Sequence, residues 1–437
     1  MSKKVLIIPS CTDLNRGDQA LVLETANVIK KVYDEKIDIF MMADGNTEQC
    51  EKFGLKKFRD ILKHPSRISK TKNNIKYNKT IKIKWGLIAV KDFIISSLLL
   101  NKITQNIVYP FLDKETKKSI NLYKECDSCF VKGGGFLHDY SGGIIGLYTM
   151  YYLTFHIRLA LSMGKKVYIM PNSFGPFKSK INKKMINKLL DKVDIVTARE
   201  SISASGKTNG LDRDIELYPD LAFFLADSYD ESKWQQFKNK YNLKDDEKYV
   251  AITVRPYRFY QYDNPKEKYE QYKNTFVKFS SFLKERGYTP LFVVHTRAIN
   301  NHENDELCIQ EIVKKIEDKE EYKVIKDDSL NCYDLKFIYG HCKYVVGTRF
   351  HSVIFSIEKG VPAIAITYGG NKGNGIMKDM DLSEYAIKIG ELTFENLKDK
   401  FESLEKEREQ VINKEESYIK QCNIKYNKLI EEIKRNI

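Results

Sequence analysis

The chain has 437 residues, 42% of them hydrophobic and 12% aromatic, with a formal charge of +14. That apolar content excludes a disordered chain, and the length exceeds one ordinary core, so two or three domains are expected. The basic balance points to anionic partners, but no nucleic-acid motif or aromatic-interleaved basic strand accompanies it, so no nucleic-acid partner is expected.

An apolar run at 4–9 predicts a first strand, followed by a polar loop and a helix. Leu21, Thr25, Val28, Ile29 and Val32 share one face of that helix at helical spacing, and Asp18 stands where an N-cap would. Further strands are expected near 37–42, 128–131, 166–170, 194–198 and 214–217, with helices between several of them. An insertion over about 56–125 interrupts the pattern. Between Ile61 and Lys91 it carries nine Lys or Arg and no acidic residue, beside an amphipathic to apolar stretch, Trp85–Ile103. A peripheral contact with an anionic membrane fits this combination, and a solvated insertion beside a core helix fits it equally. The apolar run Gly86–Leu100 is broken by Lys91-Asp92 and is shorter than the ~20 residues of a spanning helix. With no secretory leader pattern at its start, the chain is expected to be cytoplasmic, and peripheral on the inner membrane face if the insertion binds there.

After Leu225 a polar, charged segment marks the expected domain boundary. A second alternation follows, with strands at 249–254, 290–294, 322–325, 343–347 and 362–367 and helices between them. Strands alternating with helices predict parallel sheets with right-handed crossovers. The fold class is therefore α/β, with two Rossmann-like domains at 1–225 and 245–390 and a helical tail at 391–437. Eight scattered cysteines include one CxxC, Cys126 and Cys129, with no second pair nearby, which favours reduced thiols in ordinary packing over a metal site.

The most informative segment is Tyr344–Ser352, a buried strand running into a helix whose first turn carries Arg349 and His351. Unpaired N–H groups and the positive end of the dipole make such a turn a candidate anion site. The loop Asn15-Arg16-Gly17-Asp18 sits at the end of the first strand, and Gly133-Gly134-Gly135 follows another, where backbone can approach a ligand closely. The glycine run matches neither a Walker A loop nor GxGxxG, which speaks against a dinucleotide-dependent oxidoreductase.

Together NRGDQA (15–20), VKGGGFLHD (131–139), SFGPF (173–177), TARES (197–201), YPDLAF (218–223), VRP (254–256) and GTRFHSVIFSIEKGVPAIAITYGGNKG (347–373) resemble the polysaccharide pyruvyl transferase family. The resemblance implies a GT-B-like pair of domains facing a cleft. It also implies transfer of pyruvate from phosphoenolpyruvate, a co-substrate, to hydroxyls of a sugar or lipid-linked oligosaccharide, forming a pyruvyl ketal in a surface polysaccharide precursor. No metal or cofactor is expected, because Arg side chains and helix N-termini can neutralise the donor's anions. On this reading Arg349 and Arg255 clamp the donor, His351 is the general acid, and Lys372 and Gly370 complete the donor side. Asn15, Asp18, Gly134, Gly135 and Asp139 form the acceptor side, with Asp18 or Asp139 as general base. Lys132, His138 and His295 join the expected cleft without an assigned step, and Arg199 and Asp220 are expected to brace the first domain. A glycosyltransferase using a nucleotide sugar would share the architecture but shows no clear carboxylate for a ribose. A non-catalytic glycan-binding protein would have no physical reason to keep buried charges at Arg255, Arg349 and His351.

Overall fold

The computed structural model describes residues 2–33, 36–63, 79–139, 143–298 and 302–437. The chain divides into two compact units, one of residues 1–13, 21–218 and 427–437, the other of residues 14–20 and 219–426. The division at 218/219 falls earlier than the charged segment suggests. Of the expected helical tail, 391–426 belongs to the second unit and 427–437 to the first.

The first unit carries strands β1 (Lys3–Ile8), β2 (Ile37–Met42), β3 (Lys56–Phe58), β4 (Ser128–Val131), β5 (Gly134–Asp139), β6 (Lys166–Phe177), β7 (Ile195–Ala198) and β8 (Glu216–Leu217). Their order is β3-β2-β1-β4-β6-β7-β8, and β5 continues the line of β4 by pairing with the second half of β6. Every pairing is parallel, so the central strands are covered on both faces and read as unbroken apolar runs. Val5, Leu6, Ile7 and Ile8 are all fully buried, as are Val167, Tyr168, Ile169 and Met170. The expected insertion is only partly one. Its start, β3, joins the sheet, and its last helix, Lys114–Glu125, buries Ile120 and Tyr123 in the core. Between them lie the helices Lys79–Leu99 and Lys102–Val108; the basic positions 64–78 lie outside the described residues.

The second unit carries β9 (Lys248–Thr253), β10 (Tyr288–Val293), β11 (Lys323–Ile325), β12 (Tyr344–Gly347), β13 (Ala363–Thr367) and β14 (Ala386–Lys388). Their order is β11-β10-β9-β12-β13-β14, all parallel, the doubly wound order with its reversal between β9 and β12. Both units are thus Rossmann-like. Sequence reading missed β3, β5 and β14, all short or glycine-started edge elements without an apolar run. The helix Arg408–Asn436 ends the chain, with Val411, Cys422, Tyr426, Leu429 and Ile433 buried along one stripe. All eight cysteines are free and buried, and the Sγ atoms of Cys126 and Cys129 lie 3.8 Å apart.

Candidate functional site

In open parallel sheets ligands sit beyond the carboxyl ends of the strands that flank the reversal. Here β9 leads two residues on to Arg255 and β12 leads two residues on to Arg349. The two strand ends are held in register by side chains. Thr253 Oγ1 accepts from the Arg349 amide at 3.2 Å and meets Ser352 Oγ at 2.9 Å, while Tyr272 Oη contacts Thr348 Oγ1 at 3.0 Å and accepts from the Arg255 amide at 3.2 Å. Arg349 is the N-cap residue of the helix Phe350–Glu358 and makes no side-chain cap.

That leaves its guanidinium for other partners. Nε and Nη2 donate to Asp305 Oδ1 at 2.9 and 2.7 Å, Nη1 to Glu303 Oε2 at 3.0 Å, and Nη2 to the Glu303 carbonyl at 3.0 Å. The second oxygen of Asp305 accepts from the Thr296 amide at 2.7 Å. Burial works against the charge on Arg349, but Asp305, Tyr368 and Glu303 outweigh it and hold the group cationic. Burial likewise pushes the Asp305 carboxyl upward, against the pull of Arg349. With three N–H donors on its two oxygens, we take Asp305 as ionised. Arg255 donates from Nη2 to Glu303 Oε1 at 2.6 Å, and its guanidinium lies 4.2 Å from the centre of the Tyr368 ring. Its Nε is buried with no protein partner. The expected clamp is therefore modified: Arg349 is locked into a buried ion pair, and one carboxylate, Glu303, bridges both arginines while 44% exposed.

Residues Leu14–Ala20 belong to this unit. Asn15 bridges antiparallel to Thr296, the Arg16 amide donates to the His295 carbonyl at 3.3 Å, and the Arg297 amide donates to the Leu14 carbonyl at 2.7 Å. Gln19 Oε1 accepts from the Cys332 amide at 2.7 Å, at the start of the helix Cys332–Gly340. The helix that opens here, Arg16–Tyr33, starts two residues before Asp18, and Asn15 Oδ1 accepts from the Gly17 and Asp18 amides at 3.0 and 3.3 Å. Asn15 therefore takes the capping role expected of Asp18. Asp18 itself is half-buried in the first turn. His295 is buried, its Nδ1 3.1 Å from Tyr339 Oη and its Nε2 without a protein partner. Burial, with Arg349, Arg16 and Lys372 adding to it, holds this imidazole neutral, well below its ordinary range.

His351 Nε2 lies 2.6 Å from Lys372 Nζ. An ammonium can only donate, so His351 accepts and is neutral, with its proton on Nδ1. Lys372 Nζ also sits 3.2 Å from Asp220 Oδ2, a fully buried carboxylate whose other oxygen accepts from the Ala222 amide at 2.9 Å. Asp220 thus belongs to the second unit and holds Lys372, not the brace in the first domain that its motif suggested. Gly369 and Gly370 have φ of +51° and +72°, a left-handed pair that turns the chain from β13 into the helix Lys372–Asp379.

In the first unit, Gly135 lets Arg199 approach: a Cβ there would meet Nη2 at 2.8 Å, and Arg199 Nε donates to Ser173 Oγ at 2.8 Å. A Cβ on Gly134 would meet the Phe136 ring at 3.1 Å. Lys132 is buried, and burial lowers the pKa of His138. Asp139 is 1% exposed, and its Oδ2 accepts from the Ser179 amide at 3.1 Å and Asn182 Nδ2 at 2.8 Å. Ser179 caps the helix Lys180–Leu190, and this buried carboxylate holds that cap in place rather than standing open on the acceptor side.

Residues 15–370 match the profile of the family described as Polysaccharide pyruvyl transferase. The chain belongs to this family. It is 25% identical over 399 residues to the amylovoran biosynthesis protein AmsJ of Erwinia amylovora, covering 89% of each chain. Among solved structures, a MnaA–UDP co-structure from S. aureus aligns at TM-score 0.57 and 13% identity, over 94% of this chain and 90% of that one. The UDP-GlcNAc 2-epimerase of Neisseria meningitidis bound to UDP-GlcNAc aligns at 0.52 and 13%, over 94% of each. At such identities these structures establish the fold alone, a GT-B-like pair of Rossmann-like domains with C-terminal helices.

Among the pyruvyl transferase motifs, sequence reasoning passed over Arg16 for its neighbours Asn15 and Asp18, although Arg16 is the buried residue of the three. It also missed Glu303, Asp305 and Tyr368. Asn304-Asp305-Glu306 reads as an ordinary acidic helix start, and only the fold brings it to Arg349. Tyr368 had a local signal, an aromatic residue directly before the glycine pair.

Proposed function

We propose that this protein transfers pyruvate from phosphoenolpyruvate to two hydroxyls of a sugar in a surface polysaccharide precursor, forming a ketal and releasing phosphate. The observation that carries the reading is the shared carboxylate at the strand reversal. Glu303 occupies the place of an anion between Arg255 and Arg349 and is exposed enough to leave it. A donor carboxylate or phosphate takes that place, gaining the bidentate geometry of guanidinium groups and the unpartnered Arg255 Nε. Arg349, anchored by Asp305, sets the position, and Arg255 makes the closer contact with the donor. The neutral His295 offers a further hydrogen-bonding nitrogen without adding charge.

The chemistry needs one proton delivered to the methylene carbon, one carbon–oxygen bond from each sugar hydroxyl to the central carbon, and cleavage of the carbon–oxygen bond to phosphate. The two hydroxyl protons balance the reaction, one ending on the new methyl group and one on phosphate. His351 donates as general acid, and Lys372, held by Asp220, resupplies the proton through their hydrogen bond. Asn15 and Asp18, in the turn beside His351, bind the acceptor, and Asp18 takes a hydroxyl proton. Lys372 and Gly370 complete the donor side without a metal or cofactor. Buried, free thiols fit work in the reducing cytoplasm.

Calorimetric titration with phosphoenolpyruvate and, separately, with nucleotide sugars tests the reading. Saturable phosphoenolpyruvate binding that Arg255→Ala weakens at least tenfold is expected. Binding of a nucleotide sugar with no response to phosphoenolpyruvate would move the protein to the glycosyltransferases.

A further inference from the structure

The helix Lys79–Leu99 turns Asp92 and Ser96 inward. Asp92 is buried and accepts from the Lys63 amide at 2.8 Å, and Ser96, also buried, meets Tyr151 Oη at 2.7 Å. Leu99 completes the inner face. These hydrogen bonds fix the rotation of the helix, so the opposite face has to point outward. That face is aliphatic: Ile83, Leu87, Val90 and Ile94, spaced four, three and four residues apart, are 65%, 67%, 58% and 52% exposed. The stripe continues in the next elements with Ile103, Ile107 and Phe111 at 74%, 63% and 87%. Phe111 lies across an open groove of about 420 Å³ from Ile88 and Lys91. Lys84 and Lys91, both exposed, edge the stripe about two turns apart, and Lys102 follows at the start of the next helix. Asp113 beside the groove is already paired with Lys63, at 2.6 Å, and Glu115 with Lys118, at 2.8 Å.

We infer that this face docks on an anionic membrane surface, with the aliphatic stripe in the interfacial layer and the lysines on lipid phosphates. The choice of occupant rests on charge and composition. Protein interfaces deplete lysine and favour Tyr, Trp and Arg at their centres. Here branched aliphatic residues and one Phe are bordered by lysines, as on helices that lie in the plane of a bilayer. No helix among the described residues is long and apolar enough to cross a membrane. The chain's formal charge of +14 adds a long-range attraction to the same surface. This inference is independent of the donor chemistry.

Flotation of the full chain with phosphatidylcholine vesicles, with and without 30% phosphatidylglycerol, tests it. The protein floats with the anionic vesicles, and 0.5 M salt weakens the binding. Lys84→Gln with Lys91→Gln lowers affinity about 25-fold, roughly fivefold per lysine. Leu87→Ser with Val90→Ser lowers it at least tenfold, while Ile424→Ser, equally exposed in the second unit, leaves it unchanged. Failure of the unaltered protein to bind, or equal binding by both double variants, overturns the proposal. So does a concentration-dependent dimer that Leu87→Ser dissociates in a protein that ignores vesicles, which would assign the face to a second copy of the chain.

Discussion

Replacing Gly17 with Ala puts the packing around His351 under direct strain. An ideal Cβ at Gly17 lies 1.8 Å from His351 Nδ1, 2.3 Å from Cγ and 2.7 Å from Cε1. Carbon atoms do not approach a ring closer than about 3 Å, so a gap of roughly 1.2 Å must open. Gly17 cannot easily supply it, because its amide is held by Asn15 Oδ1 at 3.0 Å and the preceding amide by His295. The imidazole must therefore move, and moving it stretches the 2.6 Å contact with Lys372. Displacing a catalytic group by about 1 Å costs on the order of 100-fold in rate, and forced repacking costs about 1–3 kcal/mol of stability. The assay is phosphate release from phosphoenolpyruvate in the presence of acceptor, with imidazole NMR of His351 as a structural readout. Gly86→Ala is the matched control, since nothing lies within 4 Å of its Cβ position. A Gly17→Ala enzyme with kcat within threefold of the parent and an unshifted His351 signal would refute the reasoning.

Four further outcomes follow from the same geometry. Glu303→Gln removes the resident anion between Arg255 and Arg349, so phosphoenolpyruvate should bind about tenfold more tightly by calorimetry; weaker binding would show that Glu303 organises the arginines for the donor. Lys372→Met should lower kcat about 100-fold, with the alkaline limb of the pH profile displaced and a smaller change in KM; an unchanged profile would exclude the proton relay. Asp139→Ala should lower Tm by several degrees, through two unsatisfied donors at about 1–3 kcal/mol each, while the folded enzyme keeps its turnover. Glu415 is 1% exposed, its carboxylate oxygens have no partner, and burial pushes its pKa to about 8, with Arg408 only partly opposing. The folded chain therefore holds a proton that the unfolded chain releases near the ordinary glutamate value of 4.5, so stability falls as pH rises from about 4.5 to 8. At ~1.4 kcal/mol per pKa unit the loss between pH 5 and 8 is on the order of 3 kcal/mol. Melting curves of Glu415→Gln against the parent should show that slope removed, and parallel curves would exclude it.

The two sheets were legible because buried parallel strands announce themselves as apolar runs. The strand–helix unit at Tyr344–Glu358 could be read almost to the residue. The helix start at Asn15–Asp18 was legible, but the cap fell to Asn15 instead of Asp18, since either side chain can accept from a helix amide and only backbone geometry decides. Arg349 was legible as a buried cation. Its partners were not, because Asp305 lies 44 positions away and the pairing follows from sheet order, which no local spacing encodes. Asp139 stands in a family motif beside glycines, and nothing in its neighbourhood distinguishes a base from a buried support for a helix cap 40 residues on. The tail was legible as helices, but its apolar residues recur every three or four positions, too sparse to show the core stripe until the helix is built.

Residues 14–20 are made long before residues 219–426, yet they belong to the unit those residues form. His351 leaves the ribosome about 330 residues after Gly17, which at ~5–20 residues per second is an interval of roughly 20–70 s. During that time the first sheet can assemble while the turn at its leading strand has nothing to pack on. A fragment of residues 219–426 made alone would lack the segment that pairs with Thr296 and caps Cys332, and supplying 14–20 in trans becomes a test of how much order that turn contributes.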